Sequence, residues 1–323
     1  MIAEIGNNHE GRFDVAERLV RLAAECGADA VKFQTFRTEH YVGRTNEQRF
    51  SRLKRFELTG EQFAELAALA HLLGLLFLST PFDLESAAIL EPMVDAYKIA
   101  SGDNDFFPLI TRVAQTGKAV LISSGASDLA QARRAVECVR AEWNARGVQA
   151  DLAVLHCVSC YPVPPDQANL RAIQTLATAL DVPIGYSDHT VGTDAALIAV
   201  ALGARLVEKH FTLDHAFSGF RDHQLSADPG EMRDLVVRVR RAVRMLGNGN
   251  KVLQPCEIAT AAEIRRSVVA SRDLSAGHQL EAADVTWTGP AGGLPPGQEG
   301  ALLGRRIRRS VSAGQALRAS DVE

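Results

Sequence analysis

Eight short apolar runs, each followed by a stretch with helical hydrophobic spacing, fill the first part of the chain, and this alternation limits the fold more than any other feature. The runs begin at Ile2, Ala30, Leu75, Ala96, Ala119, Ala153, Pro183 and Arg205. Helical patterns lie between them, among them Val15 to Cys26, Glu61 to Leu73 and Leu129 to Ala145, and Glu231 to Leu246 follows the last run. Eight strand-helix pairs in about 250 residues predict a (β/α)8 TIM barrel, an α/β fold. A doubly wound sheet is the structural rival, but the turn EIGNNHEG is not the Gly-rich GxGxxG that such a sheet places after an early strand.

After Leu246 the phrase GNGNK reads as a helix stop and linker, and from about Arg265 the pattern changes to short strands and turns. The expected boundaries are a barrel over 1–246, a linker over 247–264 and a small domain over 265–323. Within that small domain an S-A-G-x-x-L turn occurs twice, which predicts two similar half-units packed together.

With 35 basic against 39 acidic residues, the chain has a net charge of −4 and 46% hydrophobic residues, an ordinary globular balance. The arginine clusters at 238–244 and 305–309 lack the aromatics and breadth of a nucleic-acid surface, so no nucleic-acid partner is expected. No apolar run reaches the roughly 18 residues of a membrane span, and MIAEIGNNHEG lacks the regions of a signal peptide, so no membrane partner and a cytoplasmic location are expected. Five cysteines form no spaced framework. Cys157 and Cys160 have CxxC spacing, but alternation on a strand points them to opposite faces and there is no second CxxC.

In a barrel the active site lies at the C-terminal ends of the strands. Those ends carry Glu4 with Asn7, Asn8 and His9, then Lys32 and Gln34, Thr80, Lys98 with Ser101 and Asp103, Ser123, Cys157 with Ser159 and Tyr161, Ser187 with His189, and Glu208 with His210. Alternation lets Lys32 and Gln34, or Glu208 and His210, point inward together. Two inward lysines need an anion, supplied either by structural pairing with Glu4 or Asp103 or by a phosphate or carboxylate ligand. The hydroxyls of Thr80, Ser101, Ser123 and Ser187 suit phosphate oxygens. His189 and His210, at the ends of adjacent strands, suit either two structural imidazoles or two ligands of one divalent ion.

The phrases AEIGNNHEG, VKFQT, FLSTPFD, YKIASGD, LISSG, LHCVSCYP, GYSDHT and EKHFT resemble, in order, those of the sialic acid synthases, and the tail RRSVVASRDLSAGHQL resembles their antifreeze-like SAF domain, a β-clip fold. The resemblance covers nearly the whole chain. It implies condensation of phosphoenolpyruvate with a six-carbon, open-chain aldose to a nine-carbon ulosonic acid in a domain-swapped homodimer. Phosphoenolpyruvate would be held by Lys32, Thr80, Lys98, Ser101, Ser123, Ser159 and Ser187. His189 and His210 would bind a divalent metal of the Mn²⁺ type, with Mg²⁺ or Co²⁺ as alternatives. Glu4, Lys98 and Asp222 would be catalytic, and Gln34, Asp103, Tyr161 and Asp222 would contact the sugar.

Where the family usually shows an Arg-Pro pair that reaches the partner's N-acetyl group, this chain reads Gly289-Pro290. Ser159 stands where Asn is frequent and Asp103 where Glu is frequent, so a differently shaped pocket and a differently substituted aldose are expected. A phosphorylated aldose is the alternative substrate. An idle carbohydrate-binding homologue is the alternative from another class.

Overall fold

A computed structural model describes residues 1–290 and 292–323. The chain divides into two compact units, Met1–Gly247 and Asn248–Glu323. In the first, eight parallel strands close into a barrel in sequence order: β1 (Ile2–Gly6), β2 (Ala30–Thr35), β3 (Leu76–Pro81), β4 (Ala96–Ile99), β5 (Ala119–Ser123), β6 (Leu152–Cys157), β7 (Ile184–Asp188) and β8 (Val207–His210). The (β/α)8 fold read from the sequence is the fold observed.

Strand alternation divides the barrel interior into layers. Ile2, Ala30, Leu78, Ala96, Leu121 and Leu155 pack together as an apolar floor at the N-terminal end. Two residues further along the same strands stand Glu4, Lys32, Thr80, Lys98, Ser123 and Cys157, all buried. The floor thus excludes water beneath a polar layer. Outward residues such as Val31, Phe33, Phe77, Tyr97 and Ile122 join the larger core beneath the helices. Gly185 has no side chain because a Cβ there would lie 2.3 Å from Leu155 Cδ2 and 2.7 Å from the Leu206 carbonyl oxygen.

Helices follow the strands as the periodicity indicates, with small shifts at their ends; Gly60–Leu72 starts at a Thr59/Gln62 capping box and Pro229–Leu246 at an Asp228/Glu231 one. No helix among the described residues is long and apolar enough to cross a membrane. The helices Thr38–Tyr41 and Glu47–Phe56 between β2 and β3 escape a periodicity reading because EQRFSRLKRF is mostly polar and buries only Leu53 and Phe56. All residues of the first strand are buried, and the Met1 nitrogen lies 2.7 Å from Asp29 Oδ2.

In the second unit the stretch expected as linker carries a short turn and the helix Ile258–Ile264. Beyond it β9 (Ser267–Ala270) pairs antiparallel with β10 (Val285–Thr288). The backbone hydrogen bonds repeat with a shift of 37 residues. Leu274 and Val311 exchange N–H···O bonds of 2.9 Å in both directions; Gly277 N donates to Ile307 O as Gly314 N donates to Ala270 O; and Leu280 N donates to Arg305 O as Leu317 N donates to Val268 O. The repeated S-A-G-x-x-L turn therefore marks two half-units related by an approximate twofold axis, with Leu274, Leu280, Val311 and Leu317 in their shared core.

Candidate active site

The polar layer closes around two buried ammonium groups. Lys32 Nζ lies 2.9 Å from Glu4 Oε1 and 3.7 Å from Glu208 Oε1, and it donates to Thr80 Oγ1 at 3.1 Å. Lys98 Nζ lies 3.3 Å from Glu208 Oε2, while Ser187 Oγ donates to Glu208 Oε1 at 3.0 Å. Of the two anions anticipated for the lysines, carboxylates are present, but the pairing uses Glu4 and Glu208 and not Asp103. Burial pushes the Glu4 carboxyl upward more than Lys32 pulls it down, with the Glu208 charge adding to the rise. For Glu208 burial acts the same way but Lys32 and Lys98 overcome it, so its carboxyl stays well below the ordinary range. Glu208 has both lysines within ion-pair distance and holds its charge, whereas Glu4 contacts Lys32 alone and is held up toward protonation.

Gln34, Ser101, Ser123, Tyr161, His189 and His210 line the same cavity as these charges, together with Phe82, Ala100 and Cys157. Ser123 Oγ and Glu4 Oε2 are buried without a hydrogen-bond partner in the chain. Such atoms cost roughly 1–3 kcal/mol each unless a ligand completes them. Ser101 Oγ accepts from Gly125 N at 3.1 Å, and Asn104 Nδ2 donates to the carbonyl oxygens of Ser123 and Gly125. That backbone turn brings Ser159 close to Ser101: a Cβ on Gly125 would lie 2.5 Å from Ser159 Oγ and 2.6 Å from Ser101 Oγ.

Ser159 itself lines an adjoining cavity of about 890 Å³ between the ends of β5 and β6, which shares the Cys157 wall. Asp103 sits in the turn Ser101–Asp103 with Oδ2 buried and unpartnered, and burial followed by the Asp105 charge raises its carboxyl to about 6. Asp222 Oδ1 accepts from Arg221 Nε at 3.3 Å; the Arg221 guanidinium stacks 4.7 Å from the Tyr161 ring, whose centroid is 4.2 Å from that of His189. Asp222 thus reaches the histidine corner through Arg221 and Tyr161.

The His189 and His210 rings stand 5.3 Å apart. His189 Nδ1 is 2.9 Å from the Val158 carbonyl oxygen, which only accepts, and 3.7 Å from Cys157 Sγ, so Nδ1 carries a proton and Nε2 is the nitrogen left to face an ion. His210 Nδ1 is buried without a partner, and burial, then the neighbouring His189, hold this ring neutral. Burial lowers the pKa of the His189 ring, but Cys157 and the Val158 carbonyl outweigh it and raise it. Two imidazoles at this spacing, one with an unpartnered buried nitrogen, fit a divalent ion that displaces any proton they carry and keeps open positions for water and substrate. Among the described residues the one group of three side chains close enough to share an ion lies elsewhere, at His215, Asp228 and Glu231 on the surface, where both carboxylates already cap a helix. Glu208 has a spacing from His210 that aims both inward but no partner legible in sequence; Cys157 belongs to a CxxC spacing with no second pair; and Asn104 acts from behind the wall, where strand-end logic does not look.

The chain matches the NeuB family over residues 19–251 and the SAF domain over 265–323. It is 38% identical over 331 residues to the N,N'-diacetyllegionaminic acid synthase of Legionella pneumophila, covering 98% of this chain and 92% of that one. It is 35% identical to the human N-acetylneuraminate-9-phosphate synthase, covering 98% and 90% of the two chains. The crystal structure of an N-acetylneuraminic acid synthetase from Leptospira borgpetersenii, in complex with citrate, superposes with a TM-score of 0.75 at 35% identity over 80% of this chain and 88% of that one. Sequence, barrel and tail agree, and the chain belongs to the NeuB family of sialic-acid-type synthases, with a SAF domain at its C-terminal end.

Proposed function

We propose that the barrel condenses phosphoenolpyruvate with an open-chain six-carbon aldose to give a nine-carbon 2-keto-3-deoxy ulosonic acid and phosphate. The observation that carries this reading is that the buried lysines Lys32 and Lys98 line one cavity with the unpartnered Ser123 hydroxyl, a set of cations and a donor that suits an anionic ligand. Lys32, Thr80, Lys98, Ser101, Ser123, Ser159 and Ser187 hold phosphoenolpyruvate. Gln34, Asp103, Tyr161 and Asp222 contact the sugar.

C3 of phosphoenolpyruvate attacks the aldehyde carbon while Glu4, the proton carrier, delivers a proton to the aldehyde oxygen. Water adds to the oxocarbenium left at C2 and gives its proton to the Glu4 carboxylate; the tetrahedral intermediate then collapses, the C2–O bond to phosphate breaking as the C2 hydroxyl becomes the keto group and its proton leaves with the phosphate. Lys98 and Lys32 neutralise the charge on the departing phosphate. A divalent ion held by His189 and His210, of the Mn²⁺ type, would supply Lewis-acid polarisation of the aldehyde. Gly289, where an arginine is usual, supports an aldose without the N-acetyl pattern of N-acetylmannosamine. The human relative is named for a phosphorylated product, which keeps a phosphorylated aldose as the second reading. By the same resemblance the chain works as a domain-swapped homodimer, a proposal that mass photometry of the full chain against one ending at Gly247 tests.

The deciding experiment measures phosphate release from phosphoenolpyruvate with Mn²⁺ across free and phosphorylated aldoses, with product mass recorded. Release that requires one sugar, and a product mass equal to the condensation minus phosphate, is the expected result. Phosphate release independent of any sugar, or none across the panel, counts against the assignment.

A further inference from the structure

β1 and β2 keep register from Ile2↔Ala30 to Glu4↔Lys32, then slip, so that Gly6 pairs with Phe33. Gly6 takes φ +52°, and a Cβ there would lie 3.1 Å from Glu4 Oε1 and 3.6 Å from Gln34 Nε2. A bulge re-aims the residues that follow it. Here it carries Asn7 over Gln34: Asn7 Nδ2 donates to Gln34 Oε1 at 2.6 Å, and Gln34 Nε2 in turn donates to Glu4 Oε1 at 3.4 Å. Gln34 lines the cavity and Asn7 stands behind it, 6% exposed.

A glutamine amide has two faces with opposite chemistry, one accepting and one donating. The long 3.4 Å bond from Gln34 Nε2 to Glu4 Oε1 favours one of them only weakly. We infer that Asn7 is a positioning residue that engages the Gln34 carbonyl, so that Gln34 shows its N–H₂ to Glu4 and to the substrate, and the sugar group met there is an acceptor oxygen. The inference rests on the proposed function for the identity of the substrate as an aldose; the Asn7–Gln34–Glu4 chain itself stands on the hydrogen bonds. It deepens the sugar reading: Gln34 selects an oxygen that accepts, not a hydroxyl that must donate.

The variants that separate positioning from packing are Asn7→Asp and Asn7→Ala. Asn7→Asp keeps the shape but has no donor, so it draws the Gln34 N–H₂ to itself and turns the carbonyl into the cavity; Asn7→Ala leaves Gln34 free and opens a small void. Positioning predicts that the KM for the aldose rises about tenfold or more in Asn7→Asp, on the scale of one hydrogen bond replaced by an unfavourable contact. It also predicts a smaller rise in Asn7→Ala and a KM for phosphoenolpyruvate within about twofold in both. A merely structural role predicts the reverse order, with Ala worse than the isosteric Asp, and that order overturns the inference. The Gln34 side-chain amide resonance, assigned through its loss in Gln34→Glu, supplies a readout independent of turnover. It should move in Asn7→Asp, and an unmoved signal overturns the inference even in an active enzyme. A moved signal in a protein that condenses no aldose supports the Asn7 assignment and fails the functional reading alone.

Discussion

Asp188 and Lys209 lie 3.1 Å apart with no more than 1% of either side chain exposed, and each immediately precedes one of the two histidines of the site. Strand alternation turns them away from His189 and His210, into the layer behind the barrel. Lys209 Nζ also donates to the Thr190 carbonyl oxygen at 2.6 Å, while Asp188 Oδ1 accepts from Thr190 N and the Tyr186 hydroxyl. The pair thus fastens the ends of β7 and β8 to each other, which fixes the spacing of the two imidazoles.

Lys209→Met should therefore weaken Mn²⁺ binding about 10- to 100-fold although it touches no ligand, the usual scale for a support behind a metal ligand. It should also destabilise the fold by about 3–5 kcal/mol, because Asp188 is left buried and uncompensated. Asp188→Asn combined with Lys209→Met should recover most of the stability but not the metal affinity. Titration of Mn²⁺ by electron paramagnetic resonance, with urea unfolding in parallel, separates the two effects; unaltered affinity in both variants refutes the role of this pair in spacing the histidines.

Gly125→Ala should act on phosphoenolpyruvate alone. The new methyl would meet the Ser159 and Ser101 hydroxyl oxygens at 2.5 and 2.6 Å and the Ser101 Cβ at 3.0 Å, so both hydroxyls must rotate away and the Ser101 turn must give slightly. Losing two aligned hydroxyls predicts a KM for phosphoenolpyruvate raised about tenfold or more, with the aldose KM and the melting temperature close to those of the wild type. Steady-state kinetics with each substrate varied in turn checks this, and an equal rise for both substrates defeats it.

Lys98→Ala should cost far more than its share of one ion pair. Lys98 sits 3.3 Å from Glu208, which keeps its charge because two lysines face it, so removing one cation both weakens the hold on phosphate and drives Glu208 toward protonation. The expected outcome is kcat/KM for phosphoenolpyruvate reduced by about 1,000-fold or more, corresponding to roughly 4 kcal/mol. Lys98→Arg should restore little, since a planar fork does not replace a point charge in a packed layer. Kinetics within tenfold of wild type in Lys98→Ala would remove this lysine from the phosphate site.

The barrel was legible because parallel strands buried on both faces leave short continuous apolar runs, and the strand ends were legible because alternation puts Lys32 with Gln34 and Glu208 with His210 on one face. What alternation cannot show is partnership across strands. Glu208 and Glu4 have the same side chain and similar burial, and the neighbours that Glu208 gathers across the strands, Lys32, Lys98, His210 and the Ser187 hydroxyl, decide that it is the one that keeps its charge. Asn7 is visible as a strand-end polar residue, but its partnership with Gln34 is hidden because it arises through a bulge that shifts register by a residue, and Asn104, which holds a turn from behind, leaves no periodic trace at all. The helix Glu47–Phe56 escaped for the opposite reason, because its charged residues face solvent and only two apolar ones anchor it.

The second unit carries a pH-dependent hub at Asp284, whose side chain is 2% exposed. Its Oδ1 accepts from Arg272 Nε and Nη2 at 2.9 and 2.6 Å, and its Oδ2 accepts from His278 Nε2 at 2.7 Å and Glu281 N at 2.9 Å. Burial alone would raise the carboxyl, but the Glu281 N–H, His278 and Arg272 outweigh it and bring it from 3.8 down to about 2. A carboxyl depressed by folding adds stability that is complete above its unfolded value near pH 4 and disappears as the pH falls toward 2. The depression corresponds to about 2 kcal/mol at neutral pH. Asp284→Asn, which accepts through one oxygen only, should lose roughly that much at pH 7, and the gap to wild type should close between pH 4 and pH 2. Asp321, the same position in the other half-unit, accepts from Arg309 and from Arg318 N, so Asp321→Asn serves as the symmetric control with fewer donors and a smaller loss. Urea unfolding followed by Trp287 fluorescence, in a Trp143→Phe background that silences the barrel, measures the small unit directly. A gap between Asp284→Asn and wild type that stays constant from pH 7 to pH 2 would show that the carboxylate charge does not stabilise this unit.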